Sequence, residues 1–124
     1  MDELIGRIVA HVGVDRSIAE KAVGLILDFL LKEGPSGKVQ LLVDELPGAA
    51  EAVQAARAGG ADAGGFFSGM GGIMGVGSRL MAIGLGMDQI RSVTREVIAY
   101  TREKAGDSAV DEVVGAIPGL GQFI

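Results

Sequence analysis

The chain has 124 residues, of which 48% are hydrophobic and 22% charged, the composition of one globular domain and not of a disordered segment. Its net charge of −5 and the lack of any basic run argue against nucleic-acid binding. The absence of cysteine excludes disulfides and thiolate metal sites. The N-terminal sequence MDELIGRIVAHVG is acidic at once and contains Arg7 and His11, so we expect no signal peptide and a cytoplasmic location.

The N-terminal third of the sequence predicts two amphipathic helices in succession. Apolar residues recur at helical spacing between Leu4 and Val12, and Gly13 ends this first helix. The motif SIAE predicts a capping box, in which Ser17 and Glu20 each satisfy a free backbone N–H at the start of the second helix.

Turn residues then divide the following stretch into two further helices. Gly34 can adopt the left-handed conformation that ends a helix, and the proline after it cannot continue the hydrogen-bond ladder. Ser36 is predicted to cap a short third helix. Pro47 is well placed as the first residue of a fourth, alanine-rich helix that runs to about Ala58.

The C-terminal third again shows helical periodicity. We expect Asp88 to cap a long helix that ends near Gly106, and Ser108 with Asp111 to form a weaker capping box for a last helix. Only KVQLLV resembles a strand, so the sequence predicts an all-α bundle of about six to seven helices. The predicted core includes eight residues: Ile26, Leu30, Leu42, Leu46, Val97, Tyr100, Val113 and Ile117.

The sequence also predicts an internal duplication. GRIVAHVGVD resembles SRLMAIGLGMD when one residue is inserted, and LPGA at Leu46 matches IPGL at Ile117, 71 positions later. The prediction is a single domain, 1–124, made of two three-helix units, 1–48 and 78–124, joined by an Ala/Gly-rich connector, 49–77. Neither unit can cover its apolar face alone, so the two should pack together.

The segments VGVDRSIAEKAVGLILDFLLKEGP and GSRLMAIGLGMDQIRSVTREVIAYTREKAG, with the ending IPGLGQFI, carry a family resemblance. The chain resembles small bacterial helical proteins grouped as domains of unknown function. The closest is the group numbered 2267, and the second is the VcgC/VcgE-like group numbered 2780. The resemblance implies a small all-helical bacterial protein and transfers no catalytic residue.

The sequence contains no recognisable catalytic constellation. His11 is the single histidine, and although Asp15 lies about one turn further on, a surface histidine favoured by the helix dipole is the simpler interpretation. Acidic residues occur as adjacent pairs that point about 100° apart on a helix, so we expect no metal site. GPSGK follows a helix and lacks the spacing of a phosphate loop. We therefore expect no enzyme activity and no cofactor.

The glycine-rich stretch GGADAGGFFSGMGGIMGVGSR lacks nucleotide-loop spacing and is too small-residue-rich for a membrane span. Residues 59–65 are predicted to be a mobile linker, and residues 69–84 a helix that packs closely through its glycines. Gly77 and Gly84 are expected to extend that close face or to mark kinks. The candidate interaction or ligand surface comprises seven residues: Phe66, Phe67, Met70, Gly71, Met74, Gly75 and Met81.

Three functions stay open at this level. The first is a non-enzymatic protein–protein interaction or scaffolding module, either a homo-oligomer or bound to another protein. The second is a carrier or sensor of a small apolar ligand or lipid held between the two units. The third is association with a membrane surface through Phe66, Phe67 and the Met-rich helix, which the net negative charge opposes.

Overall fold

The computed structural model describes residues 2–34, 36–46, 48–58, 72–117 and 120–122. These residues form α-helices and one short 3-10 turn, with no strand among them, which confirms the all-α prediction. The helices are α1 (Asp2–Val12), α2 (Arg16–Glu33), α3 (Ser36–Glu45), α4 (Ala49–Ala58), α5 (Gly72–Ala82), α6 (Met87–Ala105) and α7 (Asp107–Ala116), followed by the 3-10 turn Leu120–Gln122.

Two sets of three helices have matching lengths and order. We call α1–α3 the first half and α5–α7 the second half; α4 follows the first half. The starts of α2 and α6 lie 71 residues apart, as do the starts of α3 and α7. Gly13 and Gly84, also 71 apart, both adopt positive φ, of 81° and 107°, in the turn before each long helix. One offset therefore relates these turns and the long helices, without the predicted insertion.

The halves pack across one another rather than side by side. The long helices α2 and α6 contact each other at the centre, α1 packs on α6, and α5 packs on α2. The short helices α3 and α7 also meet. The longest helix–helix contact is made by α4, which lies along α2.

All eight residues predicted for the core are buried, each with at most 5% of its surface exposed. They come from both long helices, both short helices and the corners that follow them, so one apolar core unites the two halves. Burial of this kind supplies roughly 25 cal/mol per Å² of apolar surface, and it is the main favourable term for such a small bundle. The helical faces were therefore assigned correctly from sequence periodicity.

The predicted caps of the long helices are wrong in detail. Helix α2 begins at Arg16 with Asp15 as its N-cap, and no side chain makes a cap hydrogen bond, so Ser17 lies inside the first turn. Helix α6 begins at Met87 with Gly86 as its N-cap rather than Asp88. There the backbone N–H of Gly86 donates to Gln89 Oε1 at 2.9 Å.

The short helices differ from prediction as well. Helix α7 follows Gly106 as its N-cap without a side-chain cap, so Ser108 and Asp111 form no capping box. Gly34 is extended, with φ of −85°, and not left-handed. Helix α4 begins at Ala49, because Gly48 has φ of 83° and cannot belong to it; Pro47 lies outside the described residues.

Helix α5 occupies the end of the glycine-rich stretch. It runs from Gly72 to Ala82, so its first residues lie inside the predicted connector and its end falls two residues short of the prediction. Gly75 is buried, as close packing requires. A Cβ at Gly77 would meet no atom within 4 Å, so Gly77 does not extend a close face, and Gly84 belongs to the turn. The predicted linker, 59–65, lies outside the described residues.

Candidate interaction surface

An open groove of about 510 Å³ separates α3 from the end of α6 and the start of α7. Its apolar part is formed by Leu41, Leu42, Ala105 and Ala109. Leu42 is buried in the core, whereas Leu41, one position earlier, is 66% exposed. Because adjacent residues on a helix point about 100° apart, α3 uses Leu42 to anchor itself and presents Leu41 to solvent. We call this feature the α3–α7 groove.

The corner between α2 and α3 brings the walls of this groove together. A Cβ on Gly34 would lie 2.7 Å from Val39 Cγ2 and 2.8 Å from the Leu30 carbonyl oxygen, and 3.4 Å from Ile117 Cδ1. Real side chains do not approach so closely, so only glycine fits here without movement of a backbone atom. Gly34 thus allows α3 and the end of α7 to meet.

Charged side chains line the rim of the groove. Lys38 Nζ lies 3.0 Å from Glu112 Oε2 and bridges α3 to α7, with both side chains more than half exposed. Lys104 Nζ lies 5.5 Å from the centre of the Tyr100 ring, a cation–π contact. Glu45 completes the rim. Exposed pairs of this kind contribute little to stability, so these charges matter more for what the groove can meet.

A second polar cluster joins α1 to α6. Arg7 forms ion pairs with Glu3 and Glu103, and its guanidinium carbon lies 5.5 Å from the centre of the Tyr100 ring. The Arg7 guanidinium lowers the pKa of the Glu103 carboxyl below its ordinary value, mainly through the hydrogen bond between them. The hydrogen bond to Glu103 likewise raises the pKa of Arg7. This cluster holds the two halves together by charge at their surface.

His11 belongs to the same seam and not to a catalytic pair. Its Nδ1 lies 2.9 Å from Glu96 Oε1, and its side chain is 63% exposed. Asp15, the predicted neighbour, is not its partner, because α1 ends at Val12 and the turn carries Asp15 to the start of α2. The histidine thus joins α1 to α6 at the molecular surface.

A smaller cleft of about 370 Å³ lies where α1, α2 and α4 meet. Its lining includes the carboxylates of Asp2, Glu20 and Glu51. Arg16 lies 2.7 Å from Asp2 and 3.4 Å from Glu20, so two of these charges are already balanced. Across the described residues, no three His, Cys, Asp or Glu side chains gather as a metal site.

The structure places only part of the predicted candidate surface. Met81 is 48% exposed at the end of α5, as a surface residue should be. Gly75 is buried in the same helix. Met74 also belongs to α5, but its side chain is outside the described set. Four predicted residues lie outside the described ranges: Phe66, Phe67, Met70 and Gly71.

Sequence reasoning missed Leu41. The run QLLV contains two leucines, and periodicity assigns only one of them, Leu42, to the core. The available signal was that Leu41 falls between the polar positions Lys38 and Asp44 on the other face of the helix.

None of the described helices has the combined length and hydropathy of a bilayer span. Comparison of the chain with protein-family models, with curated proteins and with solved structures found no match. Any functional conclusion therefore depends on the surfaces described above.

Proposed function

We propose that the chain is a non-enzymatic helical interaction module that binds a second copy of itself through the α3–α7 groove. The observation that carries this proposal is Leu41, which is two-thirds exposed beside a groove of about 510 Å³. A projecting apolar side chain beside a recess suits a two-fold interface, because each copy offers both the knob and the hole.

The charges around the groove favour a like partner. The rim carries two lysines and two glutamates, Lys38, Lys104, Glu45 and Glu112, so it has no net charge. The whole chain carries −5, and two copies repel each other over most of their surface. At this rim, a two-fold axis can place lysine of one copy opposite glutamate of the other.

The carrier alternative receives less support from the described residues. A ligand carrier needs an enclosed apolar cavity, typically of several hundred Å³. The enclosed space described between α2, α5 and α6, beside Ile26, Leu80 and Thr94, measures about 10 Å³. A space of that size holds at most one water molecule.

We also propose that the two halves arose by duplication and that the chain is a bacterial cytoplasmic protein related to the helical groups that it resembles. The constant offset of 71 residues between the starts of the long and short helices supports the duplication. So do the paired hydrogen bonds Ala49 N–H to Leu46 O and Leu120 N–H to Ile117 O, again 71 apart.

Sedimentation equilibrium tests the self-association. The unmodified chain should show a monomer–dimer equilibrium with a Kd below about 1 mM, as expected for a small interface. Leu41→Asp should abolish the dimer, and the matched control Met81→Asp should keep it. A chain that is monomeric up to that concentration, or a Leu41→Asp variant that dimerises equally well, would contradict the proposal.

A further inference from the structure

The two central helices have equivalent neighbours with one exception. Helix α2 contacts α1, α5, α3 and α6, and α6 correspondingly contacts α5, α1, α7 and α2. Helix α4 packs along α2, and among the described residues no helix takes the corresponding position on α6. In the second half, the offset of 71 places the start of α4 at Leu120, where the structure describes one 3-10 turn.

The exposure of equivalent residues shows which face of α6 lacks this cover. Gly24 and Asp28 of α2 are buried. Their equivalents on α6, Arg95 and Ala99, are exposed. Positions four apart lie on one side of a helix, so the difference marks a continuous stripe.

The charge on this stripe is unusual for the molecule. Arg91 and Arg95 are exposed one helical turn apart, and neither forms an ion pair with any residue that the structure describes. Other arginines, such as Arg7, Arg16 and Arg102, each pair with two carboxylates. On a chain of net charge −5, two unneutralised guanidinium groups are therefore placed to attract an anionic partner.

We propose that Arg91, Arg95 and Ala99, the open α6 face, bind an acidic amphipathic helix of a partner protein. The partner helix lies along α6 as α4 lies along α2. Its carboxylates pair with Arg91 and Arg95, and its small apolar residues pack over Ala99, as the alanine-rich α4 packs on α2. Two arginines on a negatively charged chain are too few for a membrane surface or a nucleic acid.

An NMR titration of the full-length ¹⁵N-labelled chain tests this binding. The probe is a 16-residue acetylated and amidated helical peptide of Ala, Leu and Glu, with glutamates four residues apart. We expect saturable shifts in α6 around residues 91–99. Arg91→Gln with Arg95→Gln should weaken binding about tenfold or more, because both charge-assisted contacts are lost. Arg16→Gln with Lys21→Gln removes the same charge elsewhere and should leave the affinity unchanged.

Two further probes separate helix docking from simple charge attraction. The same peptide with lysine in place of glutamate should not bind, and an acidic peptide of equal charge interrupted by proline should bind far more weakly. Equal binding of the proline peptide, the same shifts with inorganic phosphate, or shifts confined to the α3–α7 groove would each overturn the proposal, as would no saturable shift at all. Sedimentation of the chain alone tests self-association separately, so either proposal can fail without the other.

Discussion

Helices α2 and α6 begin 71 residues apart and occupy equivalent places at the centre of the bundle, yet their surfaces differ. Every residue from Ala22 to Leu30 of α2 is buried, including Asp28. Helix α6 buries seven residues and keeps a polar side with Arg91 and Arg95. The difference shows that equivalent places in the bundle do not fix the exposure of a helix; the presence of α4 over α2 does.

Truncation at one pair of equivalent positions should show the largest contrast. Leu25 is 3% exposed, whereas its equivalent Glu96 is an intermediate surface residue. Leu25→Ala should lower the free energy of unfolding by about 2–5 kcal/mol, through lost burial and the cavity left behind. Glu96→Ala should cost less than about 1 kcal/mol. Urea denaturation of both variants measures the contrast, and equal losses would show that α2 and α6 are covered alike.

A smaller effect is expected where the halves differ at a corner. Gly34 corresponds to Ala105 in the second half, and only Gly34 has neighbours within 3 Å of an added Cβ. Gly34→Ala should cost about 1–3 kcal/mol by overpacking against the Leu30 carbonyl and Val39. As a control, Gly6→Ala in α1, where the added Cβ meets nothing within 4 Å, should gain up to about 1 kcal/mol from helix propensity.

Thermal denaturation of both glycine variants gives the result, because their Tm values should move in opposite directions. If Gly34→Ala were as stable as the unmodified chain, the close approach of α3 to the end of α7 would be wrong. The comparison between the two halves would then lose its explanation at this corner.

The weakest effect concerns charge between the halves. Arg7 ties α1 to α6 through Glu103, whereas Arg79 of α5 forms no ion pair with a described residue. Arg7→Gln should lower Tm slightly at low salt and not at high salt, and Arg79→Gln should leave it unchanged. An effect of Arg7→Gln that persists at high salt would point to lost packing over Tyr100 instead.

The same ion pair predicts a pH dependence with a definite sign. Because the pKa of Glu103 is lowered in the folded chain, its charge stabilises the fold above the ordinary glutamate pKa of about 4.3. This stabilisation is lost as the pH falls through the lowered pKa. Melts of the unmodified chain and Glu103→Gln should therefore differ at neutral pH and converge in acid, and a constant difference would contradict the assignment.

Helix count and core were predictable because apolar spacing reports burial directly. Leu42 and Val113 repeat at helical positions, and both are buried. Helix starts were less predictable. A glycine such as Gly86 can serve as N-cap through its backbone, while a nearby Asp88 only adds charge to the first turn.

The candidate surface was harder to predict for a different reason. The exposure of Leu41 depends on which side of α3 meets the core, and the pairing of His11 with Glu96 joins residues 85 positions apart. The open side of α6 depends on where α4 packs, which no local pattern encodes. Such features arise from tertiary contacts between distant segments and not from local propensity.

Thiol labelling tests most directly whether α4 covers α2 while the matching side of α6 stays open. The chain has no cysteine, so Asp28→Cys and Ala99→Cys each place a single thiol at equivalent positions, buried in α2 and exposed in α6. After circular dichroism confirms folding, Ala99→Cys should react with a maleimide nearly as fast as in denaturant. Asp28→Cys should react about a hundredfold or more slowly, since labelling there requires opening of the bundle. Equal rates at the two positions, whether both fast or both slow, would contradict the account.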